Sequence, residues 1–223
     1  MSLILQSLPH QVDTIASVAG RVAGVVLAAG AGERIGHPKA LLRTNRDDES
    51  FLQRGCRILQ DAEVGLVVAV LAPGTNPGSW LGREGVRSVV NLYPERGQLS
   101  SLKAALQVLR GEPCGAVVVL PVDVPLVLAA TVRSLIEAWR RLQVPVLRPT
   151  RGTEHGHPVV LSSTIFAELL AVDTPDGARP VVRAHASPEG DLSVEDDGAF
   201  VDIDTAEDYV RAFGRLPERA VVR

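Results

Sequence analysis

Apolar and polar positions along this chain fall into two alternating patterns. Val22–Ala28 (VAGVVLA), Gly65–Leu71 (GLVVAVL) and Gly115–Pro121 (GAVVVLP) are apolar almost without interruption and rich in valine. Strands of this kind are buried on both faces. Val86–Asn91 reads as a further, shorter strand. Between these runs the period changes to that of a helix. Ser50 can cap a helix through about Asp61 that carries Phe51, Ile58 and Leu59. Leu99–Arg110 repeats apolar residues at Leu99, Leu102, Ala105, Leu106 and Leu109, and Ala129–Leu142 collects Val132, Leu135, Ile136 and Trp139 on one face. Alternation of this sort from Arg21 to about Arg148 predicts an α/β domain whose mainly parallel sheet is covered by helices on both faces.

The last third is more mixed. Val159–Leu161 and Ala199–Ile203 read as short strands, and Ser163–Leu170, Ala178–His185 and Thr205–Phe213 as helices. No repeat, low-complexity tract or long linker interrupts it. The expectation is therefore a single domain over residues 21–223 that follows an extension at residues 1–20. That extension has no cationic start before its apolar patch, so it does not read as a signal peptide.

Composition narrows the classes of function. The chain has 223 residues, 46% hydrophobic, with a net charge of −3. No global basic field favours nucleic acid, and no apolar run is long enough to span a membrane. Cys56 and Cys114 offer neither a disulfide framework nor metal-ligand spacing, which fits a reducing cytoplasmic compartment. Of the 23 Lys and Arg residues only Lys39 and Lys103 are lysines.

In parallel sheets, ligands sit beyond the C-terminal ends of the strands. Three loops lie there: after Ala28, around Arg96–Ser101, and after Leu120. The first reads LAAGAGERIGHPKALL (Leu27–Leu42). It is not a dinucleotide fingerprint, because the third glycine position holds Ile35 and Pro38 interrupts the helix that should follow. It is not a P-loop either, because Gly36 is followed by His37 and Pro38. What remains is a glycine turn with Arg34 and Lys39 beside Gly36. Freed backbone amides can form an anion nest, and a guanidinium plus an ammonium suits a triphosphate. The alternative is an exposed turn with solvated charges; two cations directly after a buried strand favour the nest.

Acidic partners lie elsewhere. In LPVDVPLV (Leu120–Val127), Asp123 stands at a strand end before Pro125, a place suited to holding Mg²⁺ or to an ordinary turn. In VDIDTAEDY (Val201–Tyr209), Asp202 and Asp204 alternate along the expected strand. Asp204 or Thr205 could equally cap the next helix. In ERGQLSSLKAAL, Gly97, Ser100 and Ser101 sit where helix amides and hydroxyls could meet a phosphate, ribose or base edge, or merely cap the helix. In HGHPVVLS, His157 is a substrate contact or part of a structural turn.

These segments together resemble the MobA-like nucleotidyltransferases. LAAGAGERIGHPKALL is similar to the signature L-A-x-G-x-x-x-R-x-G-x-x-K, and LPVDVPLV to the family's metal-binding strand end. GQLSSLKAAL, GHPVVLS, DGARPVVRAH and VDIDTAEDY are similar to blocks of the molybdenum-cofactor cytidylyltransferase branch. The resemblance runs collinearly from about Val22 to Arg211. It implies a Rossmann-like GT-A fold and transfer of a nucleoside monophosphate from a triphosphate with Mg²⁺, or Mn²⁺ in its place. By position, Leu27, Ala28, Ala29 and Gly30 would approach base and sugar, with Gly32 in the same loop. Arg34 and Lys39 would hold the triphosphate, Asp123 and Asp204 the metal, and Gly97, Ser100 and Ser101 the nucleotide pocket. His157 would contact the acceptor. Ala28-Ala29-Gly30 matches the cytidylyltransferase branch, where the guanylyltransferase branch reads L-A-G-G. The resemblance therefore implies CTP as donor and a molybdopterin as acceptor. A molybdoenzyme or chaperone that receives the product would be a protein partner. Two positions depart from that branch: Val124 follows Asp123 where a polar residue is usual, and Gln98-Leu99 replaces part of a serine-rich run.

Overall fold

The computed structural model describes residues 20–45, 49–76, 78 and 82–219; the expected N-terminal extension lies outside these apart from Gly20. Strand β1 (Val22–Ala28) is central because it is apolar on both sides. It pairs in parallel with β2 (Val67–Leu71) and with β4 (Ala116–Pro121), and β2 pairs in parallel with β3 (Val86–Val90). The register sets Ala28 against Leu71 and Leu27 against Pro121, so the C-terminal ends of these strands share one edge of the sheet. Beyond β4 the sheet turns antiparallel. Strand β7 (Val159–Ser162) pairs with β4, and β5 (Val146–Arg151) with β7. Short strands β6 (Glu154–His155) and β8 (Asp191–Ser193) extend β5. The order is β3-β2-β1-β4-β7-β5-β6, a mostly parallel α/β sheet.

Alternation along β1 divides the core. Val26 and Ala28 face a layer with α1 (Phe51–Asp61), α3 (Ala129–Leu142) and α6 (Ala206–Phe213), where Phe51, Leu59, Trp139 and Tyr209 are buried. Val25 and Leu27 face the opposite layer with α2 (Gln98–Val108), α4 (Phe166–Ala171) and α5 (Arg179–His185), through Leu102, Leu106, Leu169 and Val181. Ser50 caps α1 in a reciprocal capping box with Gln53, as its position suggests.

Two features differ from the sequence reading. Ala199–Ile203 is not a strand: Asp197–Phe200 forms a 3-10 turn, and the segment beyond it is extended without a ladder. Its backbone groups go singly to different partners, the Ala199 carbonyl accepting from His157 N–H at 2.8 Å and the Ile203 N–H donating to the Asp123 carbonyl at 2.8 Å. Strand β5 was not anticipated. Pro149 lies within it and removes one ladder donor, which hides the strand pattern.

Candidate active site

The loop after β1 folds back on itself through two left-handed glycines. Gly32 (φ +67°) opens a single 3-10 turn at Glu33–Ile35, and Gly36 (φ +77°) closes it. A Cβ at Gly32 would lie 1.9 Å from the His37 carbonyl oxygen, so only glycine fits there. Pro38 then starts a second 3-10 turn that carries Lys39 inward, with Ala40 and Leu41 buried beneath it. The loop thus presents Arg34 at the surface and Lys39 in the interior of one cleft.

Lys39 is the centre of the arrangement. Its ammonium donates to Asp123 Oδ2 at 2.7 Å and also to Asp204 Oδ1. Arg34 Nη2 donates to the other oxygen of Asp204 at 2.9 Å. The Lys39 side chain is 11% exposed and that of Arg34 70%, so the inner pair is much the less screened by water. Burial alone would push the Lys39 ammonium below its ordinary value. The charge and hydrogen bond of Asp123, helped by Asp204, outweigh that and raise it. The hydrogen bond from Lys39, together with the Arg34 charge, holds the Asp204 carboxyl below the usual range. Asp202 shifts the other way: desolvation and the neighbouring Asp123 charge raise it.

Backbone bonds place these groups. The Ile203–Asp123 bond ties the segment carrying Asp202 and Asp204 to the end of β4. Thr205, not Asp204, caps α6, in a capping box with Asp208. Relieved of capping, the Asp204 carboxylate reaches the cations. Upstream, the buried carboxylate of Asp196 accepts from Leu128 N–H, Thr131 Oγ1 and Gly198 N–H at 2.8, 2.6 and 3.0 Å, locking this segment onto the start of α3.

Leu27, Ala29, Gly30, Gly32, Arg34, Lys39, Gly97, Ser101, Asp123 and Asp204 line one cleft of about 520 Å³ at the C-terminal edge of the parallel strands. Two residues expected there lie elsewhere. The Ala28 side chain packs into the core on the α1 side. The Ser100 hydroxyl accepts from Asn91 and turns its one proton to the carbonyls of Gly97 and Tyr93, nearer Gly97 at 2.7 Å. His157 lines a neighbouring cavity. Asn91 is a residue the sequence reading did not single out. Its buried carboxamide donates to both Ser100 and Ser101 and accepts from Tyr93 N–H, setting the start of α2 against the cleft. The available signal was a polar residue directly after an apolar strand.

Among the described residues no group of three or more His, Cys, Asp or Glu could by itself hold a metal. Asp123 and Asp204 nevertheless converge on a single cation, the Lys39 ammonium. Two carboxylates, with phosphate oxygens and water completing the shell, form a donor set that suits Mg²⁺ or Mn²⁺.

A cleft with two cations, two convergent carboxylates and a glycine turn beyond a parallel sheet has the charge and shape suited to a phosphate-bearing ligand. Residues 24–189 match the family model of the MobA-like NTP transferase domain, and the chain belongs to that family of nucleotidyltransferases. A probable molybdenum cofactor guanylyltransferase from Opitutus terrae is 32% identical over 136 residues, 61% of this chain and 64% of that protein. The chain thus matches somewhat under two thirds of that relative's length. Rv0371c from Mycobacterium tuberculosis superposes with a TM-score of 0.72 at 25% identity, over 88% of this chain and 100% of the other. A complex of the same protein with manganese superposes at 0.67, with 24% identity and the same coverage.

Proposed function

We propose that the chain transfers a nucleoside monophosphate, CMP from CTP, to a phosphate-bearing acceptor of the molybdopterin type, releasing pyrophosphate. The observation that carries this reading is Lys39 held between Asp123 and Asp204, with Arg34 against Asp204 at the mouth of the cleft. An acceptor phosphate oxygen attacks the α-phosphorus; a new P–O bond forms as the bond to the β-phosphate oxygen breaks. Arg34 and Lys39 bind the triphosphate and stabilise the charge that gathers on the departing pyrophosphate. Asp123 and Asp204 are the residues that would hold a divalent cation, which would supply charge neutralisation at the phosphates. Lys39 thereby exchanges carboxylate partners for phosphate partners as substrate enters. Cys56 and Cys114 have no part in this chemistry: burial pushes both thiols up, Cys56 to about 12.

The choice of base rests on Ala29. Ala29 lines the cleft while packing into the core layer on the α2 side, and a glycine there would leave more room. A narrower floor favours the one-ring base. The guanylyltransferase name of the Opitutus terrae relative favours GTP instead. Measuring pyrophosphate release from each of the four triphosphates separates the two readings. CTP is expected to lead, and Ala29→Gly to shift the ratio toward GTP by about tenfold, the scale of one methyl group in a pocket. Equal ratios in both proteins would remove Ala29 as the selector.

A further inference from the structure

Asn91 follows β3, and its backbone N–H donates to the Leu71 carbonyl at 2.8 Å, which fixes the residue at the C-terminal edge of the sheet. Its side chain is buried, and one bond sets which way the carboxamide points. The Tyr93 backbone N–H, which can only donate, lies 2.9 Å from one carboxamide atom. That atom is therefore the oxygen, and the other end is the NH₂ group. The two NH₂ hydrogens go to Ser100 Oγ at 2.7 Å and to Ser101 Oγ at 3.0 Å. Each serine then has a single proton of its own to place.

Ser100 has acceptors inside the protein; Ser101 does not. The Gly97 carbonyl accepts both from the Ser100 hydroxyl at 2.7 Å and from the Ser100 N–H at 3.2 Å, so its two lone pairs are occupied. This is the carbonyl four residues back, to which a helical serine such as Ser101 ordinarily donates. The Ser101 proton has no acceptor among the described residues. The side chain is buried, and it lines the same cleft as Ala29, Gly30 and Lys39. A ligand atom that accepts satisfies this proton, whereas one that donates leaves it unmatched away from water. The bond received from Asn91 also polarises the hydroxyl and strengthens it as a donor. We propose that Asn91 is a positioning residue that fixes Ser101 as a hydrogen-bond donor. The part of the nucleotide against the start of α2 is then an acceptor with no proton of its own, in the base and sugar or in the phosphates. The assignment rests on the nucleotidyl-transfer reading only in taking the cleft as a triphosphate site.

Calorimetry with CTP and with inorganic tripolyphosphate, Mg²⁺ present, compares the full chain with Ser101→Ala, Asn91→Asp, Asn91→Ala and the two double variants, each verified as folded by circular dichroism. Ser101→Ala is expected to bind CTP about tenfold more weakly, the scale of one hydrogen bond. Asn91→Asp puts an acceptor where the NH₂ group was and draws the Ser101 proton away from the cleft, so its loss is at least as large. Asn91→Ala leaves the hydroxyl unfixed and costs less. Most of either Asn91 effect disappears once Ser101 is alanine, because the two residues act as one unit. A loss seen with CTP alone assigns the bond to the base or sugar; an equal loss with tripolyphosphate assigns it to a phosphate oxygen. In pyrophosphate-release assays KM for CTP rises with these losses while kcat stays within about twofold, a split that a general loosening of the fold would not give. Unchanged affinity in Ser101→Ala overturns the proposal, as do Asn91 losses that persist in full without the Ser101 hydroxyl. Binding that follows these expectations in a chain that releases no pyrophosphate keeps the proposal and removes the transfer reading. A wild type that binds no triphosphate removes both.

Discussion

At the scale of single residues, the site depends on a few side chains whose surroundings oppose their ordinary chemistry. Lys39 is buried and yet charged, because two carboxylates face it. Gly32 is the other such point, since its backbone is left-handed and its missing Cβ leaves room for the His37 carbonyl. Gly32→Ala is expected to displace the turn that carries Arg34 and Lys39. Calorimetry with CTP should show affinity reduced by about tenfold or more, while the melting temperature falls only slightly, as strain of about 1–3 kcal/mol relaxes locally in a surface loop. Unchanged affinity would mean that the turn does not shape the cleft. Arg34, Lys39 and Asp123 were legible in the sequence because each follows a recognisable buried strand at short range. Asn91 was not, because it acts through hydrogen bonds to Ser100 and Ser101 that exist only after folding.

At the scale of elements, the central strands announced themselves because both faces are buried and the apolar run is continuous. Strand β5 did not, because Pro149 and two arginines break its pattern. Ala199–Ile203 looked like a strand but is a strap, held by isolated bonds to His157 and Asp123. Asp196 anchors this strap to α3 from a buried position, accepting from the Leu128 N–H and the Thr131 hydroxyl at the helix start. Asp196→Ala leaves Leu128 N–H, Thr131 Oγ1 and Gly198 N–H without their acceptor. Urea unfolding should show a loss of about 2–3 kcal/mol, with Thr131→Val costing about 1 kcal/mol. A loss equal to that of an exposed carboxylate would show that the strap is held by packing alone.

For the molecule as a whole, the antiparallel addition of β7 and β5 to a parallel sheet brings His157, Asp123 and Asp204 to one edge, although they come from distant parts of the chain. One consequence concerns pH. Burial keeps the His157 imidazole below its ordinary value of 6.5, against the opposing charges of Asp202 and Asp123. The unfolded chain therefore binds the proton more readily. The stability due to neutral His157 is complete above that ordinary value and is lost as pH falls through it toward the folded value. Urea midpoints at about pH 7.5 and about pH 5.5 should differ more in the wild type than in His157→Asn. An equal difference would place the histidine in water. Lys39, Asp123 and Asp204 form the proposed transfer site, and pyrophosphate release is the measurement that decides it. With CTP, Mg²⁺ or Mn²⁺ and a molybdopterin acceptor, the wild type should release pyrophosphate. Asp123→Asn and Lys39→Ala, both folded, should each be slower by about 10²–10³-fold. Release at the wild-type rate by either variant, or no release by the wild type with any triphosphate, would contradict the account.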